Sequence, residues 1–418
     1  MESSSPSAVA WRRLLIVLAL GLLAAGLAAA YLRARYSRQD LFTLLWGLTE
    51  RLSHGRFVLG LLASGALVWL VARWLGEARM AYPALSAYLA GVLADAFVLF
   101  LSEPLGVSYG PLLLPLTLVA MARCACAVGL SFLAWVVGRA AHAVACWPLL
   151  HVAGQALILA LVIDGLAIEP VHLTVSHVSV ADPYRAGGRP FRIVQISDLH
   201  IERANILSRR IVGAVNRLQP DLIVLTGDYL NTSYLNDPQA IADCRRLIGA
   251  LRAGQGIYAI RGNTDSGDLF DRLFSDLPVT TLEDRWVAVE IGGREIVIAG
   301  VAWHGELGRD RRALDQLQLS RPPGRFSLLL FHSPDLAPEA VAAGFNLYPA
   351  GHSHGGQIRL PLYGALATVS LYGKRYEMGP YLLGGTLLYV SRGVGMEGWL
   401  VPRMRFLCPP EVVCYDVS

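Results

Sequence analysis

Charge is spread so unevenly along this 418-residue chain that it divides the molecule before any motif is read. Residues 1–170 hold 11 Arg and 8 Asp or Glu, while the rest of the chain holds 25 basic and 24 acidic side chains. A helix needs ~20 mostly apolar residues to cross a bilayer, and the first stretch offers several such runs. Residues 14–31 form one, with Arg12 and Arg13 before it and Arg33, Arg35 and Arg38 after it. Residues 57–75 form a second across Arg73, and 82–101 a third. Residues 109–167 are apolar with few breaks (Arg123, Arg139, His142, Pro148, His151), leaving room for two more. The expectation is a transmembrane region at 1–168 with four to five helices, then a globular domain at 171–418. The basic start of the first run also fits a signal peptide, but the spans that follow favour an uncleaved anchor.

Orientation stays open. Cytoplasmic loops collect positive charge, and five helices with the N-terminus inside would put Arg12, Arg13, Arg73, Arg79 and Arg139 there. The reverse topology puts Arg33, Arg35, Arg38, Arg51 and Arg56 there, which is a tie. The side of the membrane on which the globular half lies is undecided. Asp95, Arg123 and Asp164 are ionisable at or near membrane depth, where charge often marks function. A simpler expectation pairs Asp95 with Arg123 inside the bundle and leaves Asp164 near the interface. In the globular half, positive and negative side chains nearly balance, so a nucleic-acid face is not expected. Cys408 and Cys414 flank a turn; a disulfide is open to them, free thiols being the simpler expectation.

The globular half alternates its periodicity. Residues 171–180 read as a strand leaving the membrane, and 191–200 as a β-branched run ending in polar residues. Residues 204–219 place Ile206, Leu207, Ile211, Val215 and Leu218 at helical spacing, and 239–251 repeat the pattern. Strands are expected at 221–228 and 256–263, so the order β-α-β-α-β implies a sheet flanked by helices. Residues 286–301 form a hairpin about Gly292-Gly293. Further strands at 325–332, 345–352, 387–391 and 412–415 make the second part mostly sheet.

Those strands end in a particular way. Asp198, Asp228, Asn263, His332 and His352 lie at or just past the C-terminal ends of apolar strands, and His200 and His354 follow two residues behind Asp198 and His352. In open α/β sheets such ends face the ligand crevice. His and Asp together suit divalent transition metals, and a carboxylate can bridge two ions. A lone Asp-x-His or a lone strand-end His is usually an ordinary satisfied polar residue. Seven of them in this order are best read as a metal site.

The stretches SDLH, TGD, RGN, FHSPD and AGHSHGGQ, in this order, resemble the calcineurin-like metallophosphoesterases over about residues 190–418. The tail, with GKRYEMGPY, LYVSRGVG and PRMRFLCPPEV, is similar to a membrane-associated bacterial branch of that family. The resemblance implies a four-layer α/β/β/α sandwich, so the whole chain is expected to be an α-helical transmembrane bundle followed by that α/β metallophosphoesterase domain. It also implies two divalent ions (Mn, Fe or Zn). Asp198, His200, Asp228 and His354 would hold one; Asp228, Asn263, His332 and His352 would hold the other, with Asp228 bridging and, like Asn263, catalytic. Such a pair hydrolyses phosphoesters or phosphoanhydrides without a covalent enzyme intermediate.

Two departures bear on the chemistry. Where the family usually has a histidine after Gly-Asn, this chain has Thr264; where it often has a second Asp after Gly-Asp, it has Asn231. Their joint absence suggests a coupled loss, and it points toward phosphoanhydrides or other good leaving groups. His304 could replace the missing imidazole, though a loop histidine of no special role is the simpler reading. Arg261, Arg359, Arg375 and Arg392 are candidate phosphate clamps. Trp399, Leu400 and Val401 form an apolar tip that could enter lipid, cover the site or join the core. The expected function is a membrane-anchored two-metal phosphohydrolase acting on a phosphate-containing, lipid-linked or membrane-proximal substrate. The alternative is a non-catalytic membrane protein that binds a phospholigand through its metals.

Overall fold

The computed structural model describes residues 54–75, 78–102, 113–141, 147–184, 188–397 and 403–418. The expected span at 14–31 and the tip at 399–401 lie outside the described residues. Residues 61–418 form one compact unit; of residues 1–60, the described part is the start of the first helix.

Helices α1 (His54–Leu75), α2 (Ala78–Ser102), α3 (Leu113–Ala141) and α4 (Trp147–Ile163) are each long and apolar enough, with α4 counted through Val171, to cross a membrane. They overlie four of the five expected spans. They are apolar around the whole circumference, which suits a lipid environment: Leu62, Leu93, Phe97, Met121 and Leu157 stand exposed. Polar groups turn inward instead. Arg123 on α3 grips Asp95 on α2 with Nε (2.5 Å) and Nη2 (2.6 Å), and sends Nη1 to the backbone oxygen (2.7 Å) and Oε1 (3.0 Å) of Gln155 on α4. Gln155 returns its amide to the Arg123 carbonyl. Three helices are thereby fastened through one fully buried guanidinium, and the expected Asp95–Arg123 pair is present. Gly91 makes room for it, since a Cβ there would lie 2.5 Å from Arg123 Nη1.

Helix α4 does not end in a tether. It runs through a π-helical turn (Asp164–Ile168) and a 3-10 turn (Glu169–Val171), and two residues later the chain is already in strand β1 (Thr174–Val180). We refer to residues 164–171 as the stem.

Beyond the stem come β2 (Phe191–Ile196), α5 (Ile206–Leu218), β3 (Leu222–Leu225), α6 (Pro238–Gly249), β4 (Ile257–Ala259), α7 (Gly267–Phe274) and β5 (Val279–Thr281). The hairpin β6 (Arg285–Ile291) and β7 (Arg294–Gly300) follows, then α8 (Leu307–Ser320), β8 (Ser327–Leu330), α9 (Ala337–Ala342) and β9 (Leu347–Ala350). A small β10 (Arg359–Leu360)–β11 (Gly364–Ala365) pair, β12 (Gly379–Leu383), β13 (Thr386–Val390) and β14 (Glu411–Val417) complete the chain. Two six-stranded sheets result, ordered β1-β14-β2-β3-β4-β5 and β12-β13-β9-β8-β7-β6. In the first, β2, β3 and β4 run parallel through the crossovers α5 and α6, while β14 lies between β1 and β2, parallel to one and antiparallel to the other.

Strands such as LIVL (β3) and SLLL (β8) are buried along their whole length because each sheet is covered on both faces. Ile193, Val224, Ile298, Leu328 and Tyr389 belong to a core between the sheets. A second core lies under α5, α6 and α7, and a third under α8 and α9. The layering is α/β/β/α. Helices α7, α8 and α9 and strands β5 and β12 go beyond the sequence reading. Helix α8 gives a thin apolar signal, being mostly charged and polar with Leu314 and Leu317 buried, whereas α7 buries Leu269, Phe270, Leu273 and Phe274 but spans only eight residues. Cys408 and Cys414 are buried free thiols, and the Cys408 Sγ donates to the His354 carbonyl (3.2 Å) instead of pairing.

Candidate metal centre

Asp198 and His200 follow β2, Asp228 follows β3, Asn263 follows β4, His332 follows β8, and His352 and His354 follow β9. Parallel strands place all five ends on one edge, where the two sheets meet. Each chain must turn sharply to aim its side chain inward. Five of the seven residues accordingly adopt left-handed backbone: Asp198 (φ 53°), His200 (40°), Asp228 (58°), His352 (69°) and His354 (51°). For a residue with a Cβ this costs roughly 1–2 kcal/mol, a strain typical of working sites.

Ligand atoms crowd together there. Those of Asp198, His200 and His354 lie within 4.8 Å of one another, and so do those of Asp198, Asp228 and His332. His200 Nε2 faces His354 Nε2 at 3.1 Å, and His354 Nε2 lies 3.3 Å from Asp198 Oδ1. Asp228 Oδ2 lies 3.6 Å from His200 Nε2 and 3.4 Å from His332 Nε2, so this carboxylate also faces both groups. His332 Nε2 is 3.0 Å from Asn263 Oδ1, while its Nδ1 donates to the Thr226 carbonyl (2.7 Å), which fixes the ring with Nε2 pointing inward. His352 stands slightly apart. Its ring packs against His332 (5.0 Å between centroids) and Trp303 (5.2 Å), and its backbone N–H donates to Asp198.

The arrangement fits a divalent ion. Two imidazole nitrogens facing at 3.1 Å cannot both carry protons, and nitrogens sharing one ion at ~2.1 Å stand about this far apart. Electrostatics agree. Burial alone would lower the His332 pKa, but the Asp228 and Asp198 carboxylates outweigh it and push it up to about 10. Burial would raise that of Asp228, yet His332 and His200 hold it far below the usual carboxylate range. Burial lowers His352 to about 3 and holds His354 well below its ordinary value, the neighbouring His332 and His200 adding to it respectively. Asp228 thus stays ionised and draws positive charge to this edge, burial raises the Asp198 carboxyl, and His352 and His354 stay neutral and free to donate lone pairs.

The surroundings explain the departures in the motifs. Thr264 donates its backbone N–H (2.9 Å) and its hydroxyl (3.0 Å) to Asp228 Oδ1, leaving Oδ2 for the cluster. Asp265, buried and raised to about 6 first by burial and then by the charge of Asp228, accepts from the backbone N–H groups of Asp228, Tyr229 and Gly262 and pins the two loops together. Asn231 is engaged elsewhere, with Met396 O (3.1 Å) and Ser233 N (3.0 Å), so no hydrogen bond joins it to Thr264. His304 is held at both ring nitrogens, by Asp310 and Asp284 at 2.9 Å each. Among the proposed clamps, Arg392 is bound to Glu411 and Thr174, Arg359 to Glu377 and the Gly355 carbonyl, and Arg261 to Glu283. Arg375 lies over the Tyr376 ring. Sequence reasoning missed Trp303, which backs two of the histidines, and Glu397, whose Oε2 lies 3.3 Å from His200 Nδ1. Neither sits in a motif that could have flagged it.

This edge and its two-sheet sandwich define a metal-dependent phosphoester hydrolase: the chain belongs to the calcineurin-like phosphoesterase family, whose model matches residues 191–356. It is 33% identical over 263 residues to the metallophosphoesterase YkuE of Bacillus subtilis, covering 59% of this chain and 85% of that one. The phosphodiesterase YaeI of Escherichia coli is 27% identical over 249 residues, 56% of this chain and 84% of the relative. The UDP-2,3-diacylglucosamine pyrophosphatase LpxG of Chlamydia trachomatis is 24% identical over 305 residues, 59% and 89% respectively.

Proposed function

We propose that the chain is a membrane-anchored two-metal phosphohydrolase of a bacterial inner membrane, with residues 1–168 in the bilayer and 171–418 carrying the site. Asp198, His200, Asp228 and His354 hold one divalent ion. Asp228, Asn263, His332 and His352 hold the other, with Asp228 common to both. Mn, Fe and Zn all suit this His/Asp/Asn donor set. The observation that supports the pair best is that both carboxylates, Asp198 and Asp228, face a histidine on either side. Bound there, the ions would polarise phosphoryl oxygens and acidify an attacking water. Thr264 keeps Asp228 oriented, and Asn263, exposed at the mouth, can donate its amide to a phosphoryl oxygen.

The substrate class follows from what the side chains cannot do. The Thr264 hydroxyl is committed to Asp228, and His304 is held at both nitrogens, so neither delivers a proton to a leaving oxygen. Without such an acid, an alkoxide departs perhaps 10²–10⁴-fold more slowly. A phosphate leaving group has a second pKa of ~6 and departs as an anion. The site therefore suits phosphoanhydrides, and the short stem keeps it near the bilayer, where a lipid-linked diphosphate would be presented. The relative LpxG is named for such a pyrophosphate.

The test uses the full chain in detergent or nanodiscs with Mn²⁺, comparing a lipid-linked diphosphate with an alkyl phosphate ester. We expect the diphosphate to turn over at least ~10²-fold faster. Equal rates overturn the leaving-group argument. Retention of the phospholigand without turnover on either favours a binding role.

A further inference from the structure

The tail motifs SRGVG (391–395) and RFLCPPE (405–411) have no part in the chemistry just described. They meet at Arg405. Its side chain is fully buried, yet its four hydrogen-bond acceptors are all backbone carbonyls. Nη1 donates to Cys408 O (2.9 Å); Nη2 donates to the carbonyls of Arg392 (2.9 Å), Gly393 (3.1 Å) and Gly395 (2.5 Å). Burying a cation without a carboxylate is costly. One that persists by gathering four carbonyls is fixing the shape of a loop.

That loop lies against one half of the metal centre. Val394 N donates to Ser197 O (3.0 Å) and Gly395 N to Asp198 O (2.7 Å). The approach is so close that a Cβ on Gly393 would lie 2.7 Å from Asp198 Cβ, and one on Gly395 2.2 Å from Leu199 O. Cys408 Sγ reaches His354 O. The segment therefore touches the backbone around Asp198, His200 and His354, which together form one of the two ligand clusters. Asp228 is instead held by Thr264 and by Asp265, which also fixes Gly262 beside Asn263, and His332 by Thr226 and Trp303. The two groups meet where His200 N donates to Asp228 O (3.0 Å) and at Asp198, which stands in both ligand clusters and accepts from His352 N.

The other end of the same segment is bound to the membrane stem. Arg405 N donates to Gly165 O (2.9 Å), Leu407 N to Glu169 Oε2 (2.9 Å), and Cys408 N to Glu169 Oε1. Glycine at 165 lets the two backbones approach: a Cβ there would lie 3.1 Å from Arg405 O and 2.4 Å from Met404 Cε, so a larger side chain must push the segment aside.

We propose that Arg405 is a positioning residue and that, with Gly165 and Glu169, it makes the end of the last membrane helix a structural part of the Asp198/His200/His354 metal site. The inference rests on the two-metal reading above. Disturbing the stem loosens one metal and spares the other.

Mn²⁺ titration of the full chain in detergent tests this, reading metal equivalents by mass spectrometry and the coupled two-Mn signal by electron paramagnetic resonance. The variants are Arg405→Lys, whose ammonium cannot span four divergent carbonyls, and the stem changes Gly165→Val and Glu169→Gln, which leave every ligand in place. Each should weaken one equivalent by about 10–100-fold, the usual effect of losing a partner behind a ligand. The second equivalent should stay within about twofold, the signal becoming that of isolated Mn²⁺. A wild type that binds two ions beside stem variants that also bind two with unchanged affinity overturns the relay alone. Loss of both ions in step with thermal stability overturns it too, as mere bracing of the fold. A wild type that binds fewer than two ions overturns the metal assignment itself, and the relay with it.

Discussion

The membrane bundle and the catalytic domain are built inside out with respect to each other. In the bundle, Leu93, Phe97 and Met121 face outward while Asp95, Arg123, His151 and Gln155 are buried. In the domain, the layers between sheets and helices are apolar, and a cluster of buried charge on Asp198, Asp228, His332 and Asp265 stands at one edge, apart from structural charges such as Arg405 and Glu411. The difference lies in what each region must exclude. Lipid gives no hydrophobic drive for helices to meet, so interhelical hydrogen bonds supply cohesion. Water drives the sheets together unaided, which frees the domain to spend its buried polarity on chemistry. The same side-chain types are glue in one region and a reactive site in the other.

The contrast can be broken most forcefully at Asp228. If buried charge in the domain serves metal rather than cohesion, Asp228→Ala should lose both ions and at least ~10³-fold in turnover, because two-metal catalysis depends on the pair. Two full metal equivalents in that variant, by mass spectrometry, would sink the bridging role. In the bundle the reverse should hold. Arg123→Leu strands a buried carboxylate and should cost roughly 3–5 kcal/mol. Asp95→Leu combined with Arg123→Met should recover most of that, measured as resistance to SDS unfolding. A double variant no better than the single one would mean that the pair has work beyond cohesion. The smallest effect is expected at His304, the one histidine near the site that behaves like the bundle's. Held by Asp284 and Asp310, it should act as a latch between two loops. His304→Asn should then change the turnover number less than about tenfold, well short of losing a general acid. A drop of 10²-fold or more on alkyl esters would make it that acid.

Much of this was legible in the sequence because its signals were local. The spans announce themselves by hydropathy, and Asp198, Asp228, His332 and His352 by standing at the ends of apolar runs. The pairing of Asp95 with Arg123 could be expected because a lone charge in lipid is so costly. What stayed hidden depends on partners far along the chain. That GNTD lacks an imidazole is plain to read; that the Thr264 hydroxyl orients Asp228, 36 residues earlier, is not. Asn231 and Thr264 read as a pair of departures, and what the sequence could not show is that each is held by its own hydrogen bonds. Strand β12 is a short edge strand that opens on Gly-Pro and alternates half-buried with exposed residues, which leaves little in the sequence to mark it as a strand. Arg405 stands in a tail motif, but nothing in the sequence shows that the fold buries it among backbone carbonyls.

The left-handed turns at Asp198, His200, Asp228, His352 and His354 have a bearing on the order in which the protein is made. No turn of this kind holds its shape alone, and its ligands come from the ends of five strands in two separate sheets. An unfolded chain therefore offers metal no preformed cradle, and contacts this distant in sequence are among the last to form. Metal loading must follow assembly of both sheets. Because β14 sits between β1 and β2 in the first of them, that sheet closes only once this distant strand has joined it. The helices, whose contacts are local, can be in the bilayer long before. On this order the helical bundle can form first and the metal-ligating edge last, so a metal would meet an already assembled domain.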